Sequence, residues 1–481
     1  MNTHLLALQL MAVQGCLGAF DTLYHHELTE ALPGRASARL ELRIHALRSV
    51  IYCAMYVGLA CWRFNGLWAV ALLLVFAVEI GLTLWDFVVE DQTRLLPATE
   101  RVTHTVLTLN GGAFIALLAL NAGESMTLPT ALAWEPHGLL SAFLLLCGAG
   151  VGLSGVRDAF AARALDRQAA RPQPPALRFG ATGCAVLLTG ATGFIGQKLV
   201  RALLADGHRV TVLSRQPRAA AWLFDGRVEC VNDLAQLPPA RRIDVVINLA
   251  GARILGWRWS EARQAALRVS RIGLTRKVVS WIAAADHKPA LMLSASAIGY
   301  YGIQARGDDT VLTESDAPQP MFMSDLCREW EEAAGTAAAY GVRVACMRFG
   351  LVLGTQGALP MMLLPVKLGM GGPLGDGRQW LSWIHVDDVI AGIAHLWTSG
   401  EGGAYNFTAP ESLPQASFNR VAAKVLKRPY WLPTPGWPMR LALGEQADLL
   451  LEGQRVAPAK LLASGFAFRH PTLAGALASL S

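Results

Sequence analysis

Long apolar runs dominate the first third of the chain. They lie at about 5–20, 47–62, 67–89, 105–122 and 138–156, separated by short polar segments. A bilayer-spanning helix needs roughly 20 apolar residues, and helical flanks can extend the shorter runs. The pattern therefore predicts an all-α transmembrane bundle of about five helices over residues 1–160.

A different pattern follows. Residues 161–182 bear arginines and prolines and predict a juxtamembrane linker. Beyond them, short apolar segments such as "DVVINLAG" and "RVACMRFGLVLG" alternate with amphipathic helical stretches. This alternation predicts a doubly wound, mostly parallel α/β Rossmann domain over 183–410 and a small C-terminal substrate lobe over 411–481.

The composition supports a membrane part and excludes other classes. The chain is 53% hydrophobic and 16% charged, which is on the apolar side of soluble usage. The net charge is +6, no lysine occurs before Lys198, and there is no lysine-rich tract, so nucleic acid is excluded as a partner. The apolar composition predicts a lipid bilayer as the partner of the first part of the chain. The eight cysteines form no C-x-x-C pair, which indicates reduced thiols.

Arginines between the apolar runs predict the orientation. Only Arg63 lies on one side of the predicted bundle. The other side carries Arg35, Arg39, Arg43, Arg94, Arg101, Arg157, Arg163, Arg167 and Arg171, with Arg48 at its edge. Because cytoplasmic loops are rich in Lys and Arg, we expect an integral inner (cytoplasmic) membrane protein. Its N-terminus would lie outside and its Rossmann domain in the cytoplasm.

Carboxylates and imidazoles cluster at the predicted cytoplasmic ends of four helices, in segments such as "FDTLYHHE" and "ERVTH". Residues spaced i, i+4 share a helix face. The candidate metal ligands are Asp21, His25, Glu41, His45, Glu79, Asp86, Glu100 and His104. Such pairs inside four-helix bundles hold di-iron and di-manganese centres, although the spacing here is E-x-x-x-H rather than E-x-x-H. The alternative is that these residues are interfacial and pair with the loop arginines.

The segment "LLTGATGFIGQKLV" predicts a dinucleotide site between a strand and a helix. Gly190 permits a tight turn, Gly193 lets the backbone approach a pyrophosphate, and Gly196 allows close helix packing. The next strand ends at Ser214 and Arg215 instead of an acidic residue; an arginine there suits the 2′-phosphate of NADP(H), unless it is merely solvated. The predicted cofactor-binding residues are Thr189, Gly190, Thr192, Gly193, Phe194, Ile195, Gly196, Ser214, Arg215, Leu249, Ala250, Gly251 and Ser294.

Five motifs in order carry a family resemblance: "TGATGFIG", "INLAG", "SASAIGYYG", "RFGLVLG" and "WIHVDD". Together they resemble an extended short-chain dehydrogenase/reductase of the NAD-dependent epimerase/dehydratase type. "SRIGLTR", "LCREWEEAA" and the tail "GQRVAPAKLLASGFAFRHPTL" are similar to the subgroup that ends in a small domain of unknown function. The resemblance covers about 184–481 and implies a Rossmann core that binds NADP(H), with a C-terminal substrate lobe.

The catalytic residues that the resemblance implies are incomplete. Such reductases use a serine or threonine and a Tyr-x-x-x-Lys pair, with tyrosine as acid and base. Ser296 supplies the hydroxyl, but Met323 and Cys327 stand where tyrosine and lysine belong. The other candidates for proton transfer are Tyr300, Tyr301, Asp325 and Cys327 itself.

Three functions remain open from the sequence. The first is a membrane-anchored, cytoplasm-facing NADP(H)-dependent oxidoreductase or epimerase that acts on a small-molecule or lipid-like substrate. The second is a non-catalytic NADP(H)-binding sensor or scaffold. The third is a membrane dimetal carboxylate oxidase or hydroxylase with a reductase-like domain attached.

Overall fold

The computed structural model of the chain describes residues 3–29, 32–34, 36–93, 96–170, 177–254, 256, 258–398 and 400–480. They divide into two compact units, Met1–Gln173 and Pro174–Ser481. Three arginines of the predicted orientation, Arg35, Arg94 and Arg171, lie outside the described residues.

The first unit is built from five long helices. They are α1 (Thr3–Phe20), α2 (Arg39–Cys61), α3 (Leu67–Thr93), α4 (Ala98–Ser125) and α5 (Leu139–Ala170). All five are long and apolar enough to cross a membrane. A π-helical segment, Asp21–Thr29, continues α1. The strand β1 (Trp62–Asn65) connects α2 to α3, and it pairs antiparallel with β2 (Ala131–Trp134), which lies between α4 and α5 in the sequence.

The helices pack through one apolar core and expose apolar side chains elsewhere. α1 contacts α4 and α5, and α2 contacts α3 and α5. Met11, Tyr56 and Phe114 lie in this core. Leu120 and Leu153 are each 72% exposed.

The described parts of the predicted linker belong to different units. Residues 161–170 lie in the first unit and residues 177–182 in the second. α5 runs to Ala170, because "AARALDRQAA" consists largely of strong helix formers. Phe179 is fully buried in the core of the second unit, and its backbone N–H donates to Asp206 Oδ2 at 2.7 Å.

A seven-stranded parallel sheet organises the second unit, which confirms the predicted Rossmann architecture. Its spatial order is β11-β8-β7-β6-β3-β4-β5. The strands are β3 (Ala185–Thr189), β4 (Arg209–Leu213), β5 (Glu229–Val231), β6 (Val245–Asn248), β7 (Leu291–Ala297), β8 (Arg343–Phe349) and β11 (Gly403–Phe407). The strand order reverses direction at β3, so ligands are expected at the carboxyl edge between β3 and β6.

A second, three-stranded sheet supports the C-terminal part. It comprises β9 (Leu351–Leu353), β10 (Trp380–His385) and β12 (Ser412–Pro414). The described helices of the second unit are α6 (Phe194–Ala205), α7 (Pro217–Leu223), α8 (Glu261–Arg268), α9 (Leu274–Ala284), α10 (Phe322–Gly335), α11 (Leu359–Lys367), α12 (Val386–Thr398), α13 (Gln415–Val425), α14 (Trp437–Leu443), α15 (Asp448–Leu451), α16 (Ala459–Ala463) and α17 (Leu473–Leu480).

The C-terminal segment packs in two places. α16 contacts β11, and Leu461 and Phe466 enter the core under the large sheet. α17 contacts α13, and a separate core gathers around Trp383 and Phe418. The segment predicted as a substrate lobe is thus part of the same compact unit as the Rossmann sheet.

Candidate functional site

The turn between β3 and α6 can accommodate only glycines at two positions. Gly190 has φ +74°, and a Cβ there would lie 2.7 Å from the carbonyl carbon of Leu249. A Cβ on Gly196 would lie 2.2 Å from the carbonyl oxygen of Gly190. Gly193 caps α6, whose first N–H groups have no acceptor within the helix. The turn is therefore a ready cradle for a phosphate group.

A buried hydrogen-bond network fixes this turn from below. Thr189 Oγ1 donates to Asn248 Oδ1 at 2.6 Å and accepts from the Ala250 N–H at 3.2 Å. Asn248 Nδ2 donates to Thr275 Oγ1 at 2.8 Å and to Ser294 Oγ at 3.3 Å. Thr189 and Ser294 are fully buried, so their hydroxyls hold the strand ends together beneath the cradle.

The other predicted cofactor residues lie at the same carboxyl edge. Arg215 is exposed two residues beyond β4, and Ser214 Oγ accepts from the Gln216 N–H at 3.2 Å. Gly251 follows β6, and a Cβ there would lie 3.0 Å from the guanidinium carbon of Arg271. The remaining members, each partly or fully exposed, are Thr192, Phe194, Ile195, Leu249 and Ala250. This edge fits a dinucleotide. Its glycines leave open the space that side chains would otherwise fill, and Arg215 supplies a positive charge at one end.

Behind the carboxyl end of β7 lies a buried polar cluster that we call the Arg348 network. Ser296 Oγ donates to Glu331 Oε1 at 2.6 Å. Arg348 donates to both oxygens of Glu331, at 2.8 Å each, and to the Tyr301 hydroxyl at 2.9 Å. Tyr301 in turn donates to Asn406 Oδ1 at 2.7 Å. Each of these groups has a partner, so the network is complete.

The network defines what the predicted catalytic residues can do. Tyr301 is 2% exposed and burial raises its pKa to about 12, so it keeps its proton and orients Arg348. Tyr300 is partly exposed, and its ring lies 3.4 Å from the Arg348 guanidinium carbon, a cation–π contact. Asp325 lies apart, in a surface ion pair with Arg328 at 3.2 Å. The structure thus brings Ser296, Tyr300 and Tyr301 together and leaves Asp325 outside.

Met323 and Cys327, which stand where the tyrosine and lysine pair is expected, offer no acid or base. Met323 and Cys327 are both buried, and burial raises the pKa of the Cys327 thiol to about 12. Sequence reasoning missed the roles of Glu331 and Arg348. The available signal was an arginine inside the apolar strand "RVACMRF", because a buried arginine requires an acidic or polar partner.

The first unit brings part of the predicted metal set together. Asp21 and His104 lie with His26 and Glu100 at the bundle end where α4 begins. Glu41 and His45 form a neighbouring group with Glu90. The predicted ligand set did not include Glu90 and His26.

Three predicted metal ligands lie outside these groups. Glu79 and Asp86 pair with Arg48 of α2, at 3.1 and 2.6 Å, and Asp86 also lies 3.0 Å from His45 Nε2. His25 contacts Thr103 Oγ1 at 3.3 Å, while its neighbour His26 approaches Asp21. The reason is the π-helical segment: its i to i+5 bonding aligns residues 21 and 26, whereas the prediction assumed α-helical i, i+4 spacing.

Comparison with known proteins agrees with the fold of the second unit. The NAD dependent epimerase/dehydratase family matches residues 186–407, and a domain of unknown function matches residues 434–480. The chain is 39% identical over 304 residues to the epimerase family protein YfhF of Bacillus subtilis, which covers 61% of this chain and 97% of that protein. It is 38% identical over 305 residues to the chloroplastic epimerase family protein SDR39U1 homolog of Arabidopsis thaliana, covering 61% of this chain and 86% of that protein.

A solved structure gives the same picture. The crystal structure of the human epimerase family protein SDR39U1 with NADPH has a TM-score of 0.55 and 33% identity. The similarity covers 62% of this chain and 98% of the human chain. Both matched family segments lie within the second unit.

Proposed function

The chain belongs to the NAD-dependent epimerase/dehydratase family, and from this premise we propose that it is a membrane-anchored, NADP(H)-dependent oxidoreductase or epimerase. The observation that carries the proposal is the carboxyl edge of the large sheet. There the glycine cradle and the exposed Arg215 occupy the two positions that a phosphorylated dinucleotide requires.

Different residues of this edge contact different parts of the cofactor. Gly190, Gly193 and Gly196 let the backbone approach the pyrophosphate, and Arg215 pairs with the 2′-phosphate. The human relative with NADPH supports this choice of dinucleotide. Bound NADP(H) would supply or accept a hydride.

Proton handling falls to the residues around Ser296. Ser296 is 2% exposed and its hydroxyl donates to Glu331, so we assign it a positioning role in the Arg348 network. Tyr300 is the partly exposed phenol nearby, and the Arg348 guanidinium stacked on its ring fixes the ring orientation. We assign Tyr300 as the proton donor and acceptor, with Tyr301 and Arg348 as positioning residues.

The first unit supports the membrane anchor. Five helices of sufficient length and apolarity, with large apolar side chains facing outward, suit a lipid environment. The arginine distribution in the sequence favours a cytoplasmic second unit in an inner-membrane protein. A tether benefits a reaction whose substrate is also held in the membrane, so we propose a lipid-like substrate.

One observation favours a non-catalytic sensor as the second candidate. The positions that should carry the acid and base hold the buried Met323 and Cys327. Both candidates require NADP(H) binding, but only the enzyme consumes NADPH. Incubating the full chain with NADPH and a total membrane lipid extract, and following absorbance at the nicotinamide band, separates them.

Cofactor choice is tested with the Arg215→Ala variant of the full chain in detergent. We expect the Kd for NADPH to rise by about 10- to 100-fold, because a charge-assisted pair is lost, while the Kd for NADH changes by less than about two-fold. The matched control is Arg201→Ala, which removes another exposed arginine, located on α6. An unchanged NADPH affinity in Arg215→Ala would contradict the assignment.

A further inference from the structure

Four side chains meet at the end of the first unit where α1 ends and α4 begins. We call them the bundle-end set: Asp21, His26, Glu100 and His104. Asp21 Oδ2 lies 3.3 Å from His26 Nε2 and 3.3 Å from His104 Nε2. Glu100 Oε1 lies 3.9 Å from His26 Nε2 and 4.0 Å from His104 Nε2. Each of these two imidazole nitrogens thus lies within 4.0 Å of one oxygen of Asp21 and one oxygen of Glu100.

Buried atoms of this set have no hydrogen-bond partner. Asp21 is 6% exposed and His26 is 7% exposed. Among the described residues, Asp21 Oδ1 and His26 Nε2 are buried and accept or donate no hydrogen bond. Buried polar atoms without a partner are uncommon in folded proteins and indicate an ion, a water molecule or a functional role.

The spacing of the four atoms fits a metal ion. Nitrogen and oxygen ligands at about 2.0–2.2 Å from a tetrahedral ion are about 3.4 Å from one another. The two shorter distances already match this value, and the two longer ones exceed it by only half an ångström or so. Modest side-chain rotation would close the set.

The surroundings also resemble those of metal-bound histidines. A metal-binding histidine commonly directs its second ring nitrogen at a carboxylate, which fixes its tautomer. His104 Nδ1 lies 3.4 Å from Glu90 Oε2, on the other side of the ring from Asp21. The His26 ring is stacked on His45, with centroids 4.8 Å apart and planes at 7°.

Charge balance points the same way. Metal-bound imidazoles are neutral ligands, so in the bound form the two carboxylates match the charge of a divalent cation. Arg48 of α2, whose side chain is 21% exposed, is paired with Glu79 and Asp86. We propose that Asp21, His26, Glu100 and His104 bind one divalent first-row transition metal ion. The site is separate from the proposed cofactor site and does not depend on it.

The first test is metal content of the full chain in detergent. After chelation and reloading with Zn²⁺, we expect about one zinc per chain in the wild type and a loss of at least ten-fold in affinity in His26→Ala and His104→Ala. His25→Ala is the matched control, since His25 contacts Thr103 instead, and it should keep the metal. Less than about 0.1 zinc per chain in the wild type, or equal loss in His25→Ala and His26→Ala, would overturn the proposal.

A second test does not rely on loss of binding. The His26→Cys variant loaded with Co²⁺ should show a thiolate-to-cobalt charge-transfer band in the near ultraviolet, because the new thiolate replaces an imidazole ligand. His25→Cys should show none. The absence of the band in both variants, with hydrogen exchange of the α1 and α4 peptides unchanged from the wild type as evidence that the first unit is folded, would contradict His26 as a ligand.

Discussion

The two units each contain a cluster of buried charged side chains, and the clusters differ in how well their members are partnered. In the Arg348 network, one guanidinium and one carboxylate share two hydrogen bonds, and the neutral members have partners as well. In the bundle-end set, two carboxylates face two imidazoles, and Asp21 Oδ1 and His26 Nε2 have no hydrogen bond to any described residue.

The difference separates structural groups from ligand-binding groups. Burying a charge costs free energy unless a partner and hydrogen bonds compensate it. The Arg348 network is compensated within the protein, so it contributes to the fold and positions Tyr300. The bundle-end set leaves Asp21 Oδ1 and His26 Nε2 without a hydrogen bond among the described residues, which is what the proposed metal ion would compensate.

The largest effect is expected from Arg348→Met. Arg348 and Glu331 have side chains that are 4% and 14% exposed, so removing the arginine leaves a carboxylate buried without its cation. We expect the free energy of unfolding of the second unit to fall by about 3–5 kcal/mol. Hydrogen exchange followed by mass spectrometry, on peptides from β8 and α10, measures it.

Two further variants complete this test. Arg328→Met removes an exposed arginine from α10 and should cost less than about 1 kcal/mol. The double variant Arg348→Met/Glu331→Leu should recover most of the loss, since no buried charge remains. If Arg348→Met and Arg328→Met cost the same, the Arg348 network is not a structural element.

An intermediate effect is expected from pH. His385 is 2% exposed, and burial lowers its pKa well below the usual 6.5. As pH falls below 6.5, the unfolded chain binds a proton that folded His385 does not, so stability falls. We expect a loss of about 2 kcal/mol between pH 7 and pH 5 from this residue.

The His385→Asn variant checks the source of that loss. It should unfold with a smaller pH dependence over the same range, measured by denaturant titration of the full chain at each pH. His287→Asn, a change at an exposed histidine, should keep the wild-type pH dependence. An equal pH dependence in wild type and His385→Asn would show that another group is responsible.

The smallest effect should have the opposite sign to that of Arg348→Met. In metal-free protein, Glu100→Gln removes a carboxylate that has an oxygen within 4.8 Å of a Glu90 oxygen. We expect stability to rise by about 1 kcal/mol, because like charges repel in a buried site. Thermal unfolding in the presence of a chelator measures the change.

With added Zn²⁺, the wild type should become more stable than Glu100→Gln. The ion stabilises the wild type in proportion to its binding, and Glu100→Gln lacks one ligand. A Glu100→Gln variant that is destabilised without metal would mean that the bundle-end set is an ordinary structural network like that of Arg348.

Much of the fold could be predicted because it depends on local patterns. The parallel sheet follows from short apolar strands alternating with helices, and it is confirmed in seven strands. The cradle follows from Gly190 and Gly196, at which any Cβ collides with backbone. The five apolar helices are present as predicted, and their insertion into a membrane stays a prediction.

The sites could be predicted only in part, because side-chain partners come from distant segments. The sequence alone determined which residues are apolar, where helices and strands form, and where glycine is required. The tertiary structure decided that Arg348 meets Glu331 and that Tyr301 is buried. It also decided that a π-helical segment directs His26, rather than His25, at Asp21. Local propensities act over a few residues, whereas a buried charge selects its partner only after packing has brought separate elements together.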